Sequence, residues 1–283
     1  MRSMTNMPPA LFAALAVAAC GSTEPQGGLT SVLLTDSPFP YHEVARVDIY
    51  VVRIQASEQA DTGLFAGDTL QTGLRTIVEP RERYNLLELQ GGATAYLGDG
   101  ELPASVYRGV RLTIDTDSSS FTLEDGRVLT GESNPGIYWQ FAGEIGLNAF
   151  VHEPVEVADT GAVVVIDFDV GRSFIPLGVD TTAGRAFLFI PYIRAVNSAG
   201  TGAVGGTAVG PAGEPIADAT VSVLQGNPGL PENTWSLMSS GKTDAQGDFL
   251  IPYLWPRSYI LAVDAYQGSG YGSARVFDVV VTT

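Results

Sequence analysis

Two aspartates, Asp167 and Asp169, are the residues of this chain whose type and spacing best suit chemistry. They stand two apart in the run AVVVIDFDV at 162–170, which is rich in β-branched residues. Because successive side chains of a β-strand point to opposite faces, both carboxylates are expected on one face. Such a pair can ligate Ca²⁺ or act as a general acid and base. A solvated strand face, or pairing of one acid with Arg172, would explain the same pattern.

The rest of the sequence gives little support for catalysis or for a bound cofactor. Ca²⁺ takes about six to eight oxygen ligands, and the two aspartates supply only part of that set. Asp115 and Asp117 repeat the spacing but lack the later glycine and glutamate of an EF-hand. The two histidines form no zinc motif, and the chain has no Gly-x-Ser-x-Gly elbow. We therefore expect no catalytic residues and no cofactor, with Ca²⁺ at Asp167 and Asp169 or a hydrolase built on them as alternatives.

Aromatic side chains are the better candidates for a binding surface. Sugars stack their apolar faces on Trp and Tyr rings, whose polar groups can also form hydrogen bonds. Trp235 lies in a loop-like segment, 225–240, outside any strand pattern. Tyr138, Trp139 and Tyr271 also lie in or beside expected loops. These four residues are the expected ligand contacts, although most large aromatics of a β-sandwich belong to its core.

The sequence indicates the cellular location of the protein more clearly than its activity. Cys20 is the only cysteine, and it ends an apolar stretch at 10–19 in the run LAVAACGS. This segment resembles the signal of a bacterial lipoprotein, which implies a signal peptide at 1–19, acylation of Cys20 and a tether at 20–28. Gly21 after the cysteine favours the outer membrane in that family. We expect a lipoprotein of the cell envelope, on either face of the outer membrane, held there by its lipid.

The charge of the chain excludes one class of partner. It has 31 acidic and 15 basic residues, a formal net charge of -16. Binding to nucleic acid depends on neutralising phosphates with Lys and Arg, so a nucleic-acid partner is not expected. An acidic surface also repels anionic lipid headgroups, which leaves the lipid on Cys20 as the contact with the membrane.

The hydrophobic pattern predicts an all-β protein. Apolar residues alternate at 47–51 and at 110–115, and turn signals such as Asp99-Gly100 separate such runs. Only 84–90 (YNLLELQ) suggests a short helical turn. A stretch of small residues near 199–204 reads as a Gly-rich linker. We expect two consecutive antiparallel sandwich or barrel-like domains, at 29–198 and 205–283.

The first domain resembles the bacterial family DUF4382, a domain of unknown function. Its match is carried by five segments in family order: LTDSP at 34–38, LLELQG at 86–91, LPASVY at 102–107, IDFD at 166–169 and IPYIR at 190–194. Ser105 departs from the glycine usual in the family. The resemblance implies a secreted or lipid-anchored envelope protein and supplies no activity.

The second domain is similar to the carboxypeptidase-regulatory-like modules, which have a transthyretin-like, carbohydrate-binding-like sandwich fold. The residues that carry this resemblance are PIADATV at 215–221, TDAQGDF at 243–249 and LWPRSY at 254–259. Arg257 stands where the family has glycine. The resemblance implies an accessory module. Independently of it, the residue types at Asp244 to Gly247 predict a turn in which Gly247 can take a positive φ before the next strand.

Together these observations predict a non-catalytic, lipid-anchored binding or scaffold protein of the cell envelope. Its ligand is expected to be a glycan or another envelope protein. A protein-interaction module, a Ca²⁺-stabilised structural spacer and a hydrolase using the paired aspartates are the alternatives.

Overall fold

The computed structural model describes residues 27–37, 43–60, 63, 73–178, 186–265 and 270–283. Within these ranges the chain is almost entirely β, which confirms the predicted fold class. The helical elements are α1 Val170–Ser173 and three 3-10 turns, Leu86–Leu89, Ser198–Gly200 and Glu232–Thr234. The strands are β1 Gly27–Thr35, β2 Val44–Ser57, β3 Arg75–Val78, β4 Glu82–Asn85, β5 Ala95–Pro103, β6 Ser105–Tyr107, β7 Gly109–Leu123, β8 Val128–Leu129, β9 Ile137–Tyr138, β10 Glu144–Ala149, β11 Val155–Val157, β12 Ala162–Phe168, β13 Phe174–Leu177, β14 Ala186–Phe189, β15 Ile193–Asn197, β16 Gly202–Thr207, β17 Thr220–Gln225, β18 Ser236–Lys242, β19 Asp248–Leu254, β20 Ser258–Asp264 and β21 Ser273–Val280.

The first domain is barrel-like. Its two larger sheets are ordered β15-β12-β1-β5 and β10-β7-β2-β3, and β11-β6 and β13-β14-β9 form smaller sheets. At one seam β3 lies against β5, where a Cβ atom on Gly100 would collide with the carbonyl oxygen of Ile77. At the other seam Phe150, directly after β10, donates its N–H to Ile193 O at 2.7 Å. Its own carbonyl accepts from Ala195 N at 3.0 Å, so β10 is joined to β15. In the described part of the chain, the outer strands of both larger sheets are therefore covered.

Alternating apolar side chains fill the interior of this domain. Val47, Ile49 and Val51 of β2 are all buried, as their spacing predicts. Phe121 lies 4.7 Å from Phe174, measured between ring centroids, in an edge-on contact. Two pairings depart from the antiparallel prediction. β9 lies parallel to β14, and β1 lies parallel to β12 while it is antiparallel to β5. The parallel pairing sets the end of β1 beside the end of β12, next to Asp167.

The second domain is a sandwich of the sheet β18-β17-β20-β21 and the pair β16-β19. Its core contains buried apolar residues from both layers, including Val221, Ile251 and Tyr259. The turn before β19 has Gly247 at a φ of 81°, with its N–H donated to Asp244 O at 2.9 Å. The predicted turn and the conformation of its glycine are thus confirmed.

Several sequence predictions need correction. Residues 199–204 are not an open linker, because a 3-10 turn and the start of β16 occupy them. The expected tether at 20–28 ends earlier, since β1 begins at Gly27. Asp99-Gly100 is not a turn but lies inside β5, where Gly100 permits the close approach to β3. The helical turn at 84–90 is confirmed by Leu86–Leu89.

The signal peptide and Cys20 lie outside the described residues and stay predictions. Among the residues that the structure describes, no helix has the length and apolar character needed to cross a bilayer.

The two domains pack against each other through a small apolar cluster. Val165 and Val196 from the first domain and Trp255 from the second are buried together, with Met238 and Tyr253 beside them. A set of charged side chains lies at the same junction, and it contains both aspartates singled out from the sequence.

Candidate functional site

A buried ion pair forms the centre of the domain junction. Asp167 on β12 faces Arg194 on β15 in the antiparallel register of the two strands. The Arg194 Nε atom lies 2.7 Å from Asp167 Oδ2, and the two side chains are only 9% and 6% exposed. The sequence left open a solvated strand face for Asp167, and its burial contradicts that alternative.

Arg194 also reaches into the second domain. It donates from Nη2 to the hydroxyl of Ser239 at 3.1 Å and from Nη1 to the carbonyl oxygen of Tyr253 at 3.2 Å. Tyr253 holds a φ of 60°, which is uncommon for a residue with a side chain. The guanidinium thus has partners in both domains, and Asp167 balances its charge at the point where they meet.

The sequence pattern predicted that Asp169 continues the strand, but it does not. β12 ends at Phe168, and the Asp169 side chain caps α1 by accepting from Arg172 N at 2.9 Å. Asp169 contacts Arg172 through the backbone amide, whereas the alternative had paired an acid with the charged side chain. The Arg172 guanidinium instead lies 3.2 Å above the ring of Tyr192 and donates to Leu237 O of the second domain at 3.5 Å.

A third carboxyl group, Asp36, completes the cluster and was not singled out from the sequence. Its Oδ1 accepts from Val170 N at 3.0 Å, and its Oδ2 accepts from the side chain of Gln90 at 3.3 Å. Asp36 follows β1 directly, so the parallel pairing with β12 sets it near Asp167 and Asp169. Asp36 lies in the segment LTDSP. Its position at the end of a strand is the one sequence signal that could have identified it.

The electrostatics of the cluster favour protonated carboxyl groups. Burial raises the pKa of Asp36 well above its usual range, and the charges of Asp167 and Asp169 raise it further. Burial, with the neighbouring Asp167 carboxylate, raises the pKa of Asp169 to about 7, against the lowering effect of the Arg172 N–H. Asp36 and Asp169 therefore retain protons at pH values where exposed aspartates are ionised.

The geometry offers little room for the Ca²⁺ expected as an alternative at Asp167 and Asp169. The Arg194 guanidinium already occupies the place beside Asp167 that a cation would take. The oxygens of Asp169 and Asp36 accept hydrogen bonds from backbone and side-chain N–H groups. Within the described ranges, no group of three or more acidic or histidine side chains is arranged to hold a metal ion. These contacts suit a structural junction better than a metal site.

The four predicted aromatic contacts do not form one platform. Trp139 packs inside the first domain, 4.8 Å from Phe189 between ring centroids, as core aromatics do. Tyr138 beside it is 54% exposed. Tyr271, in the second domain, donates its hydroxyl to Glu214 Oε1 at 2.5 Å.

Trp235 is half-buried within its own loop. Its Nε1 donates to Asn227 O at 2.9 Å, and its ring stands edge-on to Phe277 at 6.2 Å. A Cβ atom on Gly226 would collide with this ring. Trp235 therefore holds the 226–235 loop against the sheet that contains β21, and it does not present an open stacking face. The loop expected at 225–240 is shorter than predicted, because β18 begins at Ser236.

A cleft of about 420 Å³ opens between the domains, away from the acid cluster. Glu153 and Asn197 line it from the first domain, and Trp255 and Arg257 from the second. The Arg257 guanidinium lies 3.3 Å from Glu153 and 5.7 Å from the centre of the Trp255 ring. An aromatic edge, an amide and charged hydrogen-bonding groups therefore line one cavity.

A comparison with known protein families gives a match over most of the first domain. The family model named "Domain of unknown function (DUF4382)" matches residues 27–188. The chain belongs to the DUF4382 family. Its match covers the barrel-like domain up to β14 and includes Asp36, Asp167 and Asp169, whereas Arg194 and the second domain lie outside it.

Other comparisons of this DUF4382 chain add little. No curated protein matches it in sequence. The pilus backbone protein RrgB of Streptococcus pneumoniae aligns with a TM-score of 0.22 and 10% identity, over 92% of this chain and 58% of that one. The full-length major pilin RrgB of the same organism gives 0.23 and 8%, over 92% and 70%. These TM-scores are too low to assign a common fold.

Proposed function

We propose that this DUF4382 chain is a non-catalytic binding or scaffold protein of the cell envelope, held at the outer membrane by lipid on Cys20. The observation that carries the proposal is the position of Arg194 between Asp167 and two acceptors in the second domain. The side chains most capable of chemistry are used to fix one domain against the other.

The chemistry of the junction supports a structural role. A general acid or base must reach a substrate atom to transfer a proton. Asp36, Asp167 and Asp169 are each at least nine-tenths buried and accept hydrogen bonds from protein groups. A raised carboxyl pKa is common at active sites, but ion-pair networks inside a protein raise it for the same physical reason.

The anchoring part of the proposal rests on the segment around Cys20. Metabolic labelling with radioactive palmitate, followed by fractionation of the envelope, tests it directly. Wild-type chain is expected to take up label and sediment with membranes, while Cys20→Ala is expected in the soluble fraction without label. A Cys20→Ala protein that remains with the membranes would show that acylation is not the anchor.

The scaffold part predicts that the two domains unfold together. Calorimetry of the otherwise intact Cys20→Ala chain should give one cooperative transition, because the buried junction couples the domains. Disruption of the junction by Arg194→Met should split this single unfolding transition into two. Two independent transitions in the chain with an intact junction would contradict a rigid two-domain scaffold.

A carbohydrate ligand is the second candidate, and the cleft beside Trp255 favours it. Its amide, guanidinium and carboxylate groups can bind sugar hydroxyls. Retention of the protein on insoluble polysaccharides and on peptidoglycan tests this, with Arg257→Gln and Trp235→Ala run in parallel. Loss with Arg257→Gln alone would place the site in the cleft, and loss with Trp235→Ala alone would place it on the 226–235 loop. Equal retention of all three proteins would remove both sites.

A further inference from the structure

Among the described residues, the outer strand β21 of the second domain has an open edge, whereas the outer strands of the two larger sheets of the first domain are covered. In the first domain, β5 lies against β3 and β10 is joined to β15 through Phe150. In the second domain, β18 is an outer strand of its sheet, but Arg172 and Arg194 donate hydrogen bonds to its residues Leu237 and Ser239. The opposite outer strand, β21, pairs only with β20 among the described residues.

β21 has only part of the usual protection of an open edge. Natural sheets discourage pairing with other chains by placing Lys or Pro on an edge strand, by bulges or by a covering element. β21 has the sequence SARVFDVV, with neither Lys nor Pro. Val276, Phe277 and Val280 are 50%, 45% and 66% exposed.

A bulge limits how much of this edge can accept a partner. The register with β20 shifts after Val276, and Asp278 takes a φ of 55°. Residues 273–276 keep a regular register with β20, from Ser273 opposite Asp264 to Val276 opposite Leu261. An added strand would therefore pair along the first part of β21 and end at the bulge.

The charges around β21 indicate the kind of partner. Glu232 and Asp264 both lie 3.2 Å from the guanidinium of Arg275, and Asp278 is exposed two residues beyond Val276. Three carboxylates and one guanidinium leave this edge negative. A second copy of the chain would bring the same negative edge and a net charge of -16, and is therefore disfavoured.

We infer that β21 is a docking edge for an extended, basic segment of another envelope protein, which adds as a strand along residues 273–277. Backbone hydrogen bonds would hold the segment, and its alternate apolar side chains would lie on the same face of the sheet as Val276. Lysine or arginine residues between them would face Glu232, Asp264 and Asp278. This inference rests on the proposed function, for which it names the partner class.

The experiment uses the otherwise intact Cys20→Ala chain and three synthetic nine-residue peptides. One alternates valine with lysine, the second alternates valine with glutamate, and the third is the lysine peptide with proline at its centre. Fluorescence anisotropy measures binding, and amide hydrogen exchange reports the protection of β21. We expect binding of the lysine peptide with slower exchange at 273–277, and at least tenfold weaker binding of both other peptides.

Two variants localise the binding. Val276→Lys adds a positive charge at a half-exposed position and is expected to weaken binding of the lysine peptide at least tenfold. Val128→Lys, the same change at an exposed position of β8 in the other domain, is the matched control and should leave binding unchanged. Both proteins should keep the melting temperature of the parent.

Three results would overturn the inference: no added protection at 273–277, equal binding of the glutamate peptide, or a dimer of the chain that Val276→Lys abolishes. Since the palmitate and fractionation experiment does not involve β21, these results would leave the proposed anchoring unaffected.

Discussion

Asp167 and Arg194 face each other on adjacent strands, 2.7 Å apart, and the arginine continues to Ser239 and Tyr253 of the second domain. Removing the cation would leave a carboxylate buried without its partner. We expect Arg194→Met to lower the free energy of unfolding by about 3–5 kcal/mol, measured by urea denaturation. The exposed pair Arg127–Asp125 provides the control, and Arg127→Met should cost at most about 1 kcal/mol. Equal effects of the two changes would contradict a structural role for the junction.

The double variant Asp167→Asn with Arg194→Met separates the ion pair from simple packing. With both charges gone, no unpaired ion is buried, and much of the lost stability should return. A double variant as unstable as the sum of the two single changes would show that the two residues act independently.

The pKa of Asp169, raised to about 7, gives the protein an unusual pH dependence. The native state holds this proton up to about pH 7, whereas the unfolded chain releases it near pH 4. Between these values the unfolded state binds fewer protons, so the free energy of unfolding falls as pH rises, by up to about 4 kcal/mol. Asp36, whose pKa is also raised, contributes in the same direction.

Asp169→Asn tests this assignment, because an asparagine can still accept from Arg172 N and cap α1. Urea midpoints measured from pH 4.5 to 8 should decline less steeply in the variant than in the parent. Parallel pH curves for the two proteins would show that Asp169 does not titrate in this range. The comparison removes the opposing effect of exposed acids such as Asp125, whose pKa is lowered.

Trp139 and Trp235 should respond differently to truncation. Trp139 packs against Phe174 and Phe189 in the first domain, and Trp139→Ala is expected to cost about 3 kcal/mol of stability. Trp235 is half-buried in its loop with a hydrogen bond to Asn227 O, and Trp235→Ala should cost about 1 kcal/mol. Thermal denaturation compares the two, and a larger loss for Trp235→Ala would contradict this description of its surroundings.

Gly100 is expected to be essential for closure of the first domain. A Cβ atom there would collide with the carbonyl oxygen of Ile77, so Gly100→Ala must separate β5 from β3. We expect a loss of about 2–3 kcal/mol. Gly200→Ala is the matched control, because a Cβ atom on Gly200 would meet open space and its φ is not positive. Equal stability of the two variants would show that the seam is not tightly closed.

The strands and one turn could be predicted from the sequence because their signals are local. Alternation at 47–51 and the glycine of the Asp244–Gly247 turn depend on neighbouring residues alone. Asp169 shows where local signals compete. Its alternating neighbours favoured a strand, but its side chain can accept a backbone N–H, and this capping interaction ends β12 and starts α1.

The junction could not be predicted in the same way. Asp36 meets Asp167 because β1 and β12 pair in parallel, a choice made by the whole fold. Arg194 meets Ser239 because two domains dock, and neither residue stands in a pattern that indicates its partner. The raised pKa of Asp169 depends on this burial, so the protonation of the aspartate could be inferred only once the fold was known.

The place of β1 in its sheet has a mechanical consequence. β1 begins at Gly27 and is hydrogen-bonded on both sides, parallel to β12 and antiparallel to β5. A force that pulls on Gly27 along the strand axis loads both ladders in shear, so many hydrogen bonds must break together before the strand can slide out. A protein tethered to a membrane through the chain before Gly27 would thus be attached by one of its most force-resistant strands.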